Sequence, residues 1–79
     1  MSLITKVKVA RLEQDCGAEE AETLLEWLLS HPAGKVNLKR CTSLHTAVLQ
    51  VLLACRPTIS HWPDDARLAQ LLDATRLAR

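Results

Sequence analysis

The stretch that most constrains how this chain can fold covers residues 35–53, KVNLKRCTSLHTAVLQVLL. It opens with Val36-Asn37-Leu38, a segment typical of a short strand, and continues through polar residues 39–45. An almost wholly apolar helix is then predicted from Thr46 to Cys55. A strand that leads through a polar segment into a helix places hydroxyl side chains beside unpaired N–H groups at the positive end of the helix dipole. We therefore expect a small exposed site at this junction, residues 43–47, which we call the elbow.

The remaining elements are predicted from periodicity and stop signals. Residues 3–12 read as extended, because Lys6-Val7-Lys8-Val9 alternates polar and apolar side chains. A helix follows over residues 18–30, and a weaker strand is predicted over residues 58–62. Pro63-Asp64-Asp65 then opens a last helix, as proline and acidic residues commonly do. The apolar stripe of the first helix contains Ala21, Leu24, Leu25, Leu28 and Leu29, and that of the last contains Leu68, Leu71 and Leu72, with Leu77 off that face.

This order predicts an α/β fold for one domain of residues 1–79, in β-α-β-α-β-α order. Strands separated by helices pair in parallel through right-handed crossovers, so we expect a small single-layer sheet of mostly parallel strands with helices packed on one side. The second helix has Gln50 as its one polar residue after Thr46. Either the other two helices bury it completely, or a partner or a second copy of the chain covers part of it.

Composition excludes several classes of function. With 79 residues, of which 48% are hydrophobic and 24% charged, the chain fits a small folded domain. The net charge of +1, with no basic run beyond Lys39-Arg40, argues against nucleic-acid binding and against an electrostatic membrane anchor. The N-terminus has no apolar signal region, and the longest apolar run, residues 47–55, is too short to span a bilayer. We expect no membrane insertion, a cytoplasmic location and three reduced cysteines.

Residues 36–53 resemble the signature segment of the STAS family, which contains anti-sigma-factor antagonists and the C-terminal domains of sulfate transporters. That signature reads V-D-L-S-x-V-x-x-[IL]-D-S-[AS]-G-[LI]-x-x-L. Here Val36-Asn37-Leu38 matches the strand, Thr46-Ala47 the Ser-Ala pair, and His45 replaces the preceding Asp. Val48 stands where the family has Gly. Further matches are Cys41, Leu44, Leu49 and Leu52.

The resemblance implies a STAS-like sheet with helices on one side and no catalytic activity. In antagonist members a partner kinase phosphorylates a Ser or Thr at the start of this helix, and Thr46 would inherit that role. Ser43, His45, Thr46 and Gln50 would then contact a protein partner, such as a kinase or an anti-sigma-like regulator. The competing interpretation from the residues alone is that Thr46 or Ser43 simply caps the helix.

The sequence is compatible with two other classes of function and argues against a third. The same helix start could bind a small molecule or a nucleotide, although Gly17 and Gly34 are the only glycines and no glycine-rich loop exists. The chain could also be a structural subunit of a homo-oligomer. We expect no enzyme, because no nucleophile–base or carboxylate pair is evident, and neither a metal nor a cofactor, because the Cys and His residues lack paired-ligand spacing.

Overall fold

A computed structural model describes residues 3–75 and shows a small α/β fold with a mixed, mostly parallel sheet and three helices. The predicted β-α-β-α-β-α order is not confirmed, because residues 3–75 contain six strands where three were predicted. The elements are β1 Leu3–Thr5, β2 Val9–Leu12, β3 Gln14–Cys16, α1 Glu19–Ser30, β4 Lys35–Asn37, β5 Cys41–Leu44, α2 Thr46–Cys55, β6 Thr58–His61 and α3 Ala66–Thr75.

Four strands form the main sheet, in the order β1-β2-β4-β6. β1 runs antiparallel to β2, whereas β2, β4 and β6 are parallel to one another. β3 and β5 form a separate parallel pair. Because α1 and α2 each connect neighbouring parallel strands in the same direction across the sheet, right-handed crossovers place both helices on one face. The two helices contact each other, as this arrangement requires.

The first extended segment is a hairpin and not one strand. The backbone N–H of Lys6 donates to the carbonyl of Val9 at 2.8 Å, which closes a turn between β1 and β2. Val7 is 79% exposed at this turn. The prediction of one continuous extended segment over residues 3–12 is therefore wrong. The polar–apolar alternation of residues 6–9 does not distinguish a strand from a short exposed turn.

Residues 39–45 are not a simple polar connection, because they contain β5. This strand pairs with β3, whose first residue, Gln14, has a left-handed backbone with φ 56°. The Gln14 N–H donates to the carbonyl of Arg40 at 2.8 Å and joins the two segments. Residues 14–16, which follow the extended segment predicted over residues 3–12, are thus a further strand that was not predicted.

The core lies between the main sheet and the helices. Alternate strand residues, such as Ala10, Val36 and Ile59, face it. Leu25 and Leu29 were predicted to belong to the apolar stripe of α1, but they lie outside the core, since they are 36% and 70% exposed. The other buried apolar residues are Leu3, Leu12, Cys16, Ala21, Leu24, Trp27, Leu28, Leu38, Cys41, Val48, Leu52, Leu68 and Leu72.

The same correction applies to α3, whose residue Leu71 is 49% exposed while Leu68 and Leu72 are buried. A helix of ten to twelve residues packed on one side buries only a narrow stripe, so leucines at its edges remain in water. Leu77 lies outside the described residues.

α2 is covered only in part. Its buried residues are Val48 and Leu52. Complete burial by the other helices, one of the two expectations for this helix, is therefore wrong. The half-buried apolar residues that pack against the core are Ala47, Leu49, Val51, Leu53 and Cys55.

Candidate functional site

The elbow lies where β5 ends and α2 begins. β5 pairs with β3 through backbone hydrogen bonds, and the N–H of His45 donates to the carbonyl of Cys16 at 2.9 Å. These contacts fix the segment just before Thr46, the first residue of α2. The start of the helix is thus held by a strand from a distant part of the chain.

His45 is the residue that caps α2. Its extended backbone, with φ −63° and ψ 148°, directs the side chain back over the first turn, and Nδ1 accepts a hydrogen bond from the N–H of Ala47 at 3.0 Å. The His45 carbonyl also accepts from the N–H of Leu49 at 3.1 Å. The expectation that Thr46 or Ser43 caps this helix is therefore wrong, because the helix begins one residue after the histidine that fills this role.

Thr46 is exposed, and its hydroxyl forms no hydrogen bond with any other residue between 3 and 75. Gln50 is also exposed and lies one turn further along the same helix. Ser43 and His45 are exposed as well. Each of the four predicted site residues is thus accessible, and helical spacing places Thr46 and Gln50 on the same side of α2.

Removing the His45 cap should cost more than removing the Thr46 hydroxyl. We expect His45→Ala to lower the free energy of unfolding by about 1 kcal/mol, the usual cost of a lost helix cap. Thr46→Ala should change it by less than about 0.5 kcal/mol, as is usual for an exposed side chain without partners. Urea unfolding of both variants tests this, with His45→Asn as a control that should retain the cap. A larger loss for Thr46→Ala than for His45→Ala would contradict the assignment.

A carboxylate that the sequence did not predict lies at the elbow. The register of β3 and β5 places Asp15 opposite Ser43, and the Ser43 hydroxyl donates a hydrogen bond to the Asp15 carboxylate. Asp15 is 28 residues away in sequence. Asp15 reaches the elbow only because β3, of three residues, pairs with β5, of four residues. Neither strand was predicted.

Two thiols lie buried beneath the elbow. Cys16 on β3 and Cys41 on β5 are both inaccessible to solvent. A hydrogen bond from the Cys16 side chain lowers the pKa of the Cys41 thiol from its ordinary value, although burial acts in the opposite direction. The Cys41 thiol also donates to the carbonyl of Ser43 at 3.4 Å. These contacts make the thiols part of the support for the elbow.

An open polar cleft of about 610 Å³ lies at the start of β5, before the elbow. Its walls combine cationic and carboxylate side chains, so its chemistry suits a ligand or a protein surface that carries both charges. Its shallow shape means that it would cover only part of a ligand. The lining residues are Glu13, Gln14, Lys39, Arg40, Cys41, Thr42, Asp64 and Asp65.

Residues 3–75 contain no group of three or more His, Cys, Asp or Glu side chains that could hold a metal ion. Over the same residues, every helix is too short or too polar to cross a membrane. Comparison of the chain with protein-family models, with curated proteins and with solved structures finds no match to any of them.

Proposed function

We propose that this protein is a non-enzymatic regulatory module with a STAS-like arrangement, which acts in the cytoplasm and binds a partner protein through the elbow and the first turns of α2. Phosphorylation of Thr46 by a partner kinase would switch this binding. The proposal rests on one observation: Thr46 is exposed at the start of α2, where His45 already caps the helix. A hydroxyl with no structural task is available for modification.

The electrostatics of the elbow support a switch at this position. A phosphate on Thr46 would add negative charge at the positive end of the α2 dipole, which favours it. The phosphate would also lie a few residues from the hydrogen bond between Ser43 and Asp15. Repulsion between the phosphate and the Asp15 carboxylate would weaken this hydrogen bond. Phosphorylation would thus change the exposed surface more than the stability of the core.

The proposal is tested first by the modification itself. Peptide mass spectrometry of the chain isolated from its native host should find phosphate on Thr46. Thr42 is the matched control, because it is also an exposed threonine, three residues after Lys39 on the neighbouring strand β5.

Capture of partners from the same host tests the consequence. We expect Thr46→Ala and Thr46→Glu to differ at least about tenfold in the amount of a captured partner, which corresponds to about 1.4 kcal/mol of binding free energy. Thr42→Ala and Thr42→Glu should behave like the wild type. If all the variants capture the same proteins in equal amounts and no phosphate is found, the phosphorylation switch is wrong.

A further inference from the structure

We propose that copies of this chain associate head to tail, with the open face of the main sheet in one copy packed against the outer face of α1 in the next. The inference does not depend on the elbow. The open sheet face consists of Ile4, Val9, Arg11, Lys35 and Asn37, with Arg40 at its edge. The outer α1 face consists of Glu19, Glu22, Leu25, Glu26 and Leu29.

The open sheet face is basic and partly apolar. Because side chains alternate along a strand, the residues beside buried Ala10 and Val36 point away from α1 and α2. Lys35 is exposed there, and the Arg11 side chain is 43% exposed. Arg40 lines the same small hollow as Arg11.

Two further features of the open sheet face matter for packing. The half-buried side chains of Ile4 and Val9 give it an apolar part. Glu13 lies 3.6 Å from an Arg11 nitrogen, and Asp64 and Asp65 lie with Arg40 in the polar cleft at the edge of this face, so the positive charge within the face itself is that of Arg11 and Lys35.

The outer α1 face has the complementary chemistry. Its three glutamates are exposed, and the helix contains no lysine or arginine. At about 100° per residue they lie on the same side as Leu25 and Leu29, opposite the buried residue Leu24. An acidic surface that also exposes two leucines is complementary to one that is basic and partly apolar.

The spacing of the charges fits. Arg11 and Lys35 lie on neighbouring strands, two positions apart in register, which separates them by roughly 8 Å. Glu22 and Glu26 lie one helical turn apart, at about 6 Å. The two spacings differ by only about 2 Å, which these long side chains can accommodate. Two ion pairs can therefore form at once, while the leucines contact Ile4 and Val9.

The interface would join two different surfaces, so every assembly keeps one free face of each kind at its two ends and can grow. The sheet is only four short strands wide, roughly 19 Å, so the contact is small and the association weak and dependent on salt. We therefore expect reversible self-association that appears only at high protein concentration.

Charge reversal on one face at a time provides the test. Variant S carries Arg11→Glu and Lys35→Glu, and variant H carries Glu22→Lys and Glu26→Lys. A control with Lys6→Glu and Lys8→Glu makes the same change of charge as variant S in the exposed β1–β2 turn. Melting curves establish that each variant folds, and Arg11→Gln with Lys35→Gln replaces variant S if it does not.

Sedimentation velocity gives the expected results. The wild type and the control should sediment faster as concentration rises at about 0.05 M salt, and as monomers at about 1 M salt. Variants S and H should each remain monomeric. Mixed in equal amounts they should associate again, because the acidic helix face of S is complementary to the basic sheet face of H, and the two reversed faces are complementary to each other. A wild type that stays monomeric at low salt, or a mixture of S and H that stays monomeric, would overturn the proposal.

Discussion

Replacement of Leu52 by alanine is expected to destabilise the protein by about 3 kcal/mol, within the range measured for a fully buried leucine. Leu52 is inaccessible to solvent and is one of two buried residues by which α2 joins the core. A domain of 79 residues has a total stability of only about 4 to 12 kcal/mol, so the loss is a large fraction of it. Equilibrium unfolding in urea measures the change directly.

The matched control is Leu53→Ala, which removes the same side chain from the next position of the same helix. Leu53 is only half-buried, and it packs against the core from its edge. We expect this variant to lose about half as much stability or less, because less apolar surface is withdrawn from water there. Equal losses at both positions would show that α2 is covered more evenly than the structure indicates.

Gly34→Ala should destabilise the protein by about 2 to 3 kcal/mol, as overpacking of a closely packed site does. A Cβ at this position would lie 2.5 Å from Cη2 of Trp27 and 3.0 Å from the carbonyl oxygen of His31. The indole ring cannot easily move aside, since its Nε1 donates to the carbonyl of Lys6 at 3.1 Å. The ring also stacks on His31 with centroids 4.5 Å apart. Lack of space, and not backbone conformation, therefore makes glycine necessary here.

Gly17→Ala provides the comparison for this substitution. The Cβ added there would meet the Glu19 carboxylate at 3.1 Å, and this exposed, flexible side chain can turn away. We expect a change of less than about 0.5 kcal/mol. Thermal unfolding of both variants distinguishes them, and a Gly34→Ala protein as stable as the Gly17→Ala protein would contradict the packing described around Trp27.

Elements defined by local signals could be predicted, whereas those defined by pairing could not. α2 begins at Thr46 and ends at Cys55 as predicted, because a continuous apolar segment is bounded there by a polar segment and by Pro57. β3 and β5 contain three and four residues, which is too short for a periodic pattern to distinguish them from a loop. Their existence depends on the contact between them.

The candidate site divides in the same way. The exposure of Ser43, Thr46 and Gln50 follows from their polarity and from their place at the start of an apolar helix. The part played by Asp15 depends on strand register, and the capping role of His45 depends on a backbone angle. Sequence patterns contain neither quantity, so Asp15 was missed and His45 was predicted without its capping role.

The pairing of β3 with β5 has a consequence for how the elbow can be studied. Residues 14–16 and 41–44 must meet across a long loop that contains all of α1, so this part of the structure forms only when the chain closes that loop. A synthetic peptide of residues 35–55 would contain Ser43, His45, Thr46 and Gln50, yet it would lack Asp15 and the strand that holds His45 in place. The arrangement of the elbow therefore belongs to the folded domain, and a linear peptide does not reproduce it.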